Sequence, residues 1–460
     1  MTVNRDIFKL AIPSILANIT VPLVGMVDIA VAGHLDAEAA TLIGGIAIGT
    51  MLFDLLYWNF GFLRIGTGGL AAQAYGREDR RECAGILFRA LAMSLAIAVF
   101  LIAVQWIFVK AAFLVVDCTP EVRALASRYF FIRIWAAPAT LCLMALKGWF
   151  IGMQDSVSAM VADITVNGIN ILLSIVLALG LSVKGTNVVA ALGFDGVAIG
   201  TLAAQWIGLA TVAFILAFRY RNTLTSFEKE DFKSLFKGSE TRRFFNMNTD
   251  LFIRSACMIA IYIGFTTISA RYGDLLLAVS SILMKLLLLF SYFTDGFAYA
   301  GEALTGRYIG ARNPLMLRQT VKWTFIWSMG IATVFILIYR FAGVPMLRVM
   351  TSDAAVIEAA KGYMPWLMLM PVVGCAAFTW DGIYIGATAS RGMRDSTLWA
   401  VAAFVSVWGL GILLLNVSVP EDSTRYGVLA MHILMAAYFA HLLARTIYLT
   451  VRSRRLVGVV

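Results

Sequence analysis

The sequence predicts an all-α polytopic membrane protein, with twelve transmembrane helices in two six-helix lobes related by a pseudo-two-fold axis along the membrane normal. Three observations predict it. Of 460 residues, 60% are hydrophobic and only 14% charged, whereas a soluble domain has about 45–50% apolar and about 25% charged residues. The apolar residues gather into runs long enough to cross a bilayer, which takes ~20 residues each. Short motifs also recur between the two halves at one fixed separation.

In chain order, the apolar runs fall near residues 9–33, 44–73, 86–110, 123–151, 157–182 and 194–219. A polar stretch follows, RYRNTLTSFEKEDFKSLFKGSETRRF. Six more runs fall near 245–270, 275–306, 318–340, 355–387, 396–416 and 425–450. The predicted organisation is an amino-terminal lobe over 1–218, a connector over 219–244 and a carboxy-terminal lobe over 245–460.

The net charge of +10 does not point to nucleic acid, because the bases fall mainly in alternate loops, as the positive-inside rule expects. The connector carries Arg219, Arg221, Lys229, Lys233, Lys237, Arg242 and Arg243. Arg77, Arg80 and Arg81 follow the second run, and Arg452, Arg454 and Arg455 close the chain, while LDAEA after the first run has no base. Both termini are therefore expected to be cytoplasmic, in a multi-pass protein of the bacterial inner membrane. The first run is too long for a cleavable signal peptide and leads into many others.

The repeat has a separation of 234 residues. It carries YGRED at 75–79 onto IGARN at 309–313, Tyr129 onto Tyr363, Gly148 onto Gly382 and Gly152 onto Gly386. An even number of crossings per half gives both halves the same orientation. Internally repeated bundles of this kind are typical of alternating-access carriers.

Charges inside apolar runs mark the candidate site, because each is costly in a bilayer and persists where it faces protein or water. The first run, AIPSILANITVPLVGMVDIAVAGHL, holds one carboxylate, Asp28, and no Lys or Arg. Burial favours the neutral form of a carboxyl, which suits Asp28 to exchange a proton. The competing reading is an interfacial Asp near the helix end at Gly33 and His34. Pro13 and Pro22 each remove a backbone hydrogen bond and are candidate hinges. Asp54 lies well inside the second run and is expected either to line the cavity or to be held by another helix. In the fifth run Asp163, Asn167, Asn170 and Ser174 recur at helical spacing, a polar face that must meet protein or water. Interhelical hydrogen bonding is the equal alternative.

The second half is richer in charge, with Lys285, Asp295, Glu302 and Asp381 in its runs. Lys285 with Asp295 or Asp381 is a candidate charge pair, and Asp381 a candidate cavity residue. Asp250 and Arg254 stand at i, i+4, a spacing that suits an ion pair. The five cysteines are scattered with no CxxC, so neither a disulfide framework nor a zinc site is expected. Walker A, HExxH and GxSxG motifs are missing, as is any His/Asp constellation for an embedded enzyme. No ring of selectivity residues suggests a channel.

VGMVDIAVAGHL and FGFLRIGTGGLAAQAYG resemble the first- and second-helix signatures of the MATE (multidrug and toxic compound extrusion) transporters. DLFIR, FTDGFAYAGEALTGRYIGARN and WDGIYIGATASRGMRDS are similar to the DinF-like branch of that family. The resemblance runs the length of the chain. It implies a twelve-helix, two-lobed antiporter with a central cleft that exports organic cations and amphipathic drugs. It needs no cofactor; a proton serves as the coupling ion, with sodium as the alternative. Asp28 matches the family's first-helix acid, and Asn170 and Ser174 its fifth-helix Asn and Asp. Ser at the second position puts a sodium site in doubt. Asp381 is matched more loosely to the second-lobe acid of sodium-coupled relatives. The protein is expected to act as a monomer in the lipid bilayer. A lipid-linked sugar flippase of related fold is the other alternative.

Overall fold

A computed structural model describes the chain apart from residues 1, 34, 36–38, 115, 117, 184, 185, 421–423, 459 and 460. In order, the first half holds α1 (Thr2–Gly33), α2 (Ala39–Trp58), α3 (Phe62–Gly76), α4 (Arg80–Ala112) and α5 (Pro120–Arg133). A 3-10 turn (Ile134–Ala136), α6 (Ala137–Gly152) and α7 (Ser156–Leu179) follow. An antiparallel hairpin, β1 (Leu181–Val183) and β2 (Thr186–Val189), leads to α8 (Phe194–Arg219). Two short helices, α9 (Arg221–Leu224) and α10 (Lys229–Ser234), come next. The second half holds α11 (Ser239–Ala270), α12 (Asp274–Gly310), α13 (Pro314–Met350) and α14 (Ala354–Lys361). It ends with α15 (Met364–Gly386), α16 (Ser390–Ser418) and α17 (Thr424–Gly458).

Among the described residues, twelve helical stretches are long and apolar enough to span a membrane, the number the sequence predicts. Their outward faces carry Phe100, Trp106 and Ile107 on α4 and Leu413, Leu414 and Val417 on α16, all exposed. Apolar faces this continuous are a liability in water and a contact surface in lipid.

Four boundaries differ from the sequence expectation, one of them the 3-10 turn at Ile134–Ala136 that interrupts the fourth run. The second run is two helices, because the chain turns at Asn59–Gly61. There the Asn59 amide donates back to the Leu55 carbonyl at 2.8 Å, competing with the helical ladder. The tenth run is also two helices, α14 and α15, parted at Gly362 and Tyr363. The seventh helix starts at Ser239, inside the stretch assigned to the connector. α1, by contrast, stays helical through both Pro13 and Pro22.

The repeat is visible in the backbone. Among the described residues, the non-glycine positions with left-handed φ are Glu78, Gln154, Arg312 and Thr388. They form two pairs 234 apart, Glu78 with Arg312 and Gln154 with Thr388. Each follows a helix that ends in a tight turn, and left-handed backbone is uncommon for such residues. Asp79 and Asn313, the next pair, both cap the following helix, accepting from the Glu82 amide at 2.9 Å and the Met316 amide at 3.1 Å. A Cβ on Gly152 would fall 2.6 Å from the Gly68 carbonyl oxygen, and one on Gly386 2.3 Å from that of Glu302. Both halves therefore need glycine where α6 meets α3 and where α15 meets α12.

The chain divides into two compact units, Leu16–Phe245 and Asn246–Val460 with Met1–Ile15. The first turns of α1 fall in the latter unit because Phe8 packs edge-on to Trp327 at 4.6 Å and to Phe297 at 6.0 Å. The Trp327 indole also donates to Asn4 at 3.1 Å. That unit is built around α12, with Phe290, Phe335, Tyr339, Tyr363 and Met431 in its core. In the Leu16–Phe245 unit Phe53 stacks on Phe130 at 4.7 Å, and the buried Trp149 indole donates to the Cys83 carbonyl at 2.8 Å.

The connector is more than a polar loop. Its Phe227 and Phe232 rings pack on Phe88 of α4 at 5.2 and 5.0 Å. Arg89 Nε donates to the Leu235 carbonyl at 3.0 Å, and Arg81 holds Asp231 with Nε to Oδ2 at 2.9 Å. Arg81 and the Glu228 amide hold the Asp231 carboxyl below the usual carboxylate range.

Candidate functional site

α1 presents Asp28 within the Leu16–Phe245 unit. Its residue is only 5% exposed, yet Oδ1 has no hydrogen-bond partner among the described residues. Two groups face this carboxylate, the Ser174 hydroxyl of α7 and the positive charge of Arg133 at the end of α5. The reading of Asp28 as an interfacial helix cap has no support in this environment.

The polar face of α7 is satisfied in sequence. Ser174 Oγ donates to Asn170 Oδ1 at 3.1 Å, and Asn170 Nδ2 donates to Thr201 Oγ1 of α8 at 3.1 Å. Thr201 in turn donates to the Val197 carbonyl at 3.1 Å. Asn167 Nδ2 donates to Thr20 of α1 at 2.6 Å. The lower end of the face ties α7 to α1 eight residues before Asp28, and the upper end meets Asp28 itself. Asp163 departs from the expectation that it lines a cavity, because Lys147 of α6 holds it in an ion pair. A half-buried base beside a half-buried acid is neutralised where it stands.

Asp54 on α2 is exposed, and the opposing charge acting on it is Arg133. The Arg133 guanidinium lies over the Phe53 ring at 4.8 Å and the Tyr129 ring at 5.6 Å. Its Nη1 donates to the Tyr129 hydroxyl at 3.1 Å. The charge of Arg133 thus acts both on an acid with an unpartnered oxygen and on an exposed one.

The unit that includes Asn246–Val460 handles its charges differently. Asp381 is held by two guanidiniums on one oxygen: Arg254 Nη2 reaches Oδ2 at 2.5 Å, and Arg445 Nη2 bonds the same atom. Arg445 is fully buried. The i, i+4 spacing of Asp250 and Arg254 is therefore not an ion pair. Asp250 binds Arg394 at 2.7 Å and Ser390 at 2.8 Å instead, because α16 offers a donor where α11 turns its own arginine toward α15. Nor do Lys285 and Asp295 pair. Ten residues on one unbroken helix separate them by roughly 15 Å; Lys285 is exposed and Asp381 is already taken. A groove of about 820 Å³ between α16 and α17, lined by Trp399, Ser406, Ile447 and Tyr448 among others, contains none of these residues. Among the described residues no group of His, Cys, Asp and Glu could hold a metal ion.

Several residues of these clusters stand outside the sequence expectation, among them Arg133, Arg445 and Thr201. The first two carry a legible signal, a lone base within an apolar run, FFIRIW and LLARTI. An intramembrane base is as costly as an acid. Thr201 has no such mark, since threonine is ordinary in a helix whose hydroxyl bonds its own backbone.

Among the described residues, twelve helices able to span a membrane, in two similarly built units with charges inside them, are the architecture of a helical membrane transporter. The family model MatE matches residues 13–176 and 251–417, and the chain belongs to the MatE family. It is 33% identical over 405 residues to the "DNA damage-inducible protein F" of Escherichia coli K12, covering 87% of this chain and 84% of that one. It is 23% identical to the "Probable multidrug resistance protein NorM" of Photorhabdus laumondii, covering 99% and 97%. Among solved structures, one described as the "Outward-facing conformation of a multidrug resistance MATE family transporter of the MOP superfamily" superposes with a TM-score of 0.82. It is 17% identical and covers 99% of this chain and 96% of that one.

Proposed function

We propose that the protein exports organic cations and amphipathic compounds in exchange for protons, with Asp28 as the coupling residue. The observation that carries this reading is a carboxylate in a membrane-spanning helix that is nearly buried and, among the described residues, forms no ion pair and keeps one oxygen without a partner. Such a group is suited to gaining and losing a proton, because its neutral form needs no counter-charge. The multidrug description of the Photorhabdus relative supports the cargo class.

In this cycle Asp28 is protonated from the acidic side and releases its cationic cargo. It gives up the proton to the cytoplasm, and becomes able to bind cargo again. Competition for one carboxylate makes the process an exchange. α1 contributes the motion: the division between the two units falls at Ile15 and Leu16, between the two candidate hinges Pro13 and Pro22. A proton suits the site better than sodium. Ser174 stands where a second acid would help ligate a metal cation, and the charge of Arg133 opposes one. Each pH unit supplies ~1.36 kcal/mol. One proton against one monovalent cation is electroneutral, so the pH gradient alone drives exchange. The proposed setting is the bacterial inner membrane, with both termini cytoplasmic and the chain acting as a monomer.

The test is efflux of an organic cation from proteoliposomes under a pH gradient or a sodium gradient imposed separately. Efflux with the pH gradient alone is the expected result. Efflux with the sodium gradient alone would overturn the proton assignment.

A further inference from the structure

We propose that Arg133 is a cargo-recognition residue for an anionic group, so that among the compounds taken up by the Leu16–Phe245 unit those with an anionic end beside the cationic one are preferred. The inference rests on the reading of Asp28 as the site where the cationic end binds.

Arg133 lies thirteen residues into the span Pro120–Gly152, and Asp54 thirteen residues into the span Thr41–Gly76. That is roughly 20 Å of helix in each case, well away from either end. Arg133 is half-buried and Asp54 exposed. Charges at that depth cannot face hydrocarbon; they face a water-filled surface. Both therefore line accessible space, and they carry opposite signs.

Arg133 is also built into place. Two aromatic faces and the Tyr129 hydroxyl hold its guanidinium, which keeps it from snorkelling toward an interface. Yet among the described residues no acid lies within ion-pair distance of it, whereas several other bases of this unit are neutralised directly: Lys147 by Asp163, Arg128 by Asp195 and Arg89 by Glu82. An arginine does not shed its proton to relieve burial. A half-buried guanidinium fixed by rings, with no direct ion pair among the described residues to take up its charge, is arranged to receive a planar anion such as a carboxylate. If its role were only to neutralise Asp28, a direct ion pair with that acid would be the simpler arrangement.

The test uses two dyes that differ at one group, rhodamine 110, a zwitterion with a free carboxylate, and its methyl ester rhodamine 123, a cation. Binding of each to the purified full chain in nanodiscs is measured without any gradient. The wild type is expected to bind the zwitterion at least ~10-fold more tightly than the ester. Arg133→Gln is expected to erase that preference while leaving ester binding unchanged or stronger, since a repelling charge is gone. Arg133→Lys, which keeps the charge and loses the fork, should retain part of the preference. Equal or tighter binding of the ester by the wild type overturns the proposal, as does an equal loss for both dyes in both variants. Because the assay needs no gradient, it stands apart from pH-driven efflux. Loss of proton coupling with the preference intact would sink the role of Asp28 alone.

Discussion

Gly148 and Gly382 occupy the same place in the two halves. A Cβ on Gly148 would sit 2.0 Å from the Arg64 carbonyl oxygen, and one on Gly382 would sit 2.1 Å from that of Ala298. Arg64 and Ala298 are themselves 234 apart. Each glycine lets two helix backbones touch, which is how small residues hold helices together where lipid gives no hydrophobic drive. The obstacle in each case is backbone, so no side chain can swing aside. Gly148→Ala and Gly382→Ala should therefore each destabilise the protein by about 1–3 kcal/mol or more. Thermal unfolding in detergent reads the effect. A wild-type midpoint in both variants would contradict the close approach.

The Asp381 cluster makes a second prediction. Removing one partner of a buried charge pair costs about 3–5 kcal/mol, because the other is left uncompensated. Asp381→Asn leaves two arginines in that position, one of them fully buried. It should lower the unfolding midpoint sharply. Arg445→Met added to Asp381→Asn should recover part of the loss. A double variant no better than the single one would show that charge is not what Asp381 contributes.

The connector gives a prediction with a pH sign. Arg81 and the Glu228 amide hold the Asp231 carboxyl below the usual carboxylate range. A group depressed in the folded state stabilises at pH above its unfolded value, near 3.9. That contribution is lost only as pH falls through the lower folded value. Docking of α9 and α10 on α4 should therefore be constant from pH 5 to 8. Asp231→Asn should raise amide exchange over residues 221–237 throughout that range. Protection that already fades between pH 8 and 5 in the wild type would assign the docking to another group.

The fold was largely legible because bilayer crossing imposes length and composition together, and because the repeat leaves its mark in glycines and turn residues. The breaks at Asn59–Gly61 and Gly362–Tyr363 were not, although Asn59, Gly61, Lys361, Gly362 and Pro365 mark them, because apolar residues on both sides make each stretch read as one crossing. In the site, Asp28 and the Asn170–Ser174 face could be found from polar residues at helical spacing. The partners of Asp163 and Asp381 could not. Lys147, Arg254 and Arg445 lie on other helices, 16, 127 and 64 residues away, and periodicity along one helix carries no information across such distances. The same limit makes Asp250 with Arg254 look like a pair: the spacing permits it, and a better-placed arginine on α16 takes the acid instead.

The central claim is tested most directly by Asp28→Asn in proteoliposomes, with dye efflux followed under an imposed pH gradient. Asparagine keeps the size and polarity of the side chain and removes its ability to carry a proton. The variant is expected to fold, to keep the thermal midpoint of the wild type within a few degrees, and to lose pH-driven efflux. Undiminished pH-driven efflux from Asp28→Asn would contradict the account.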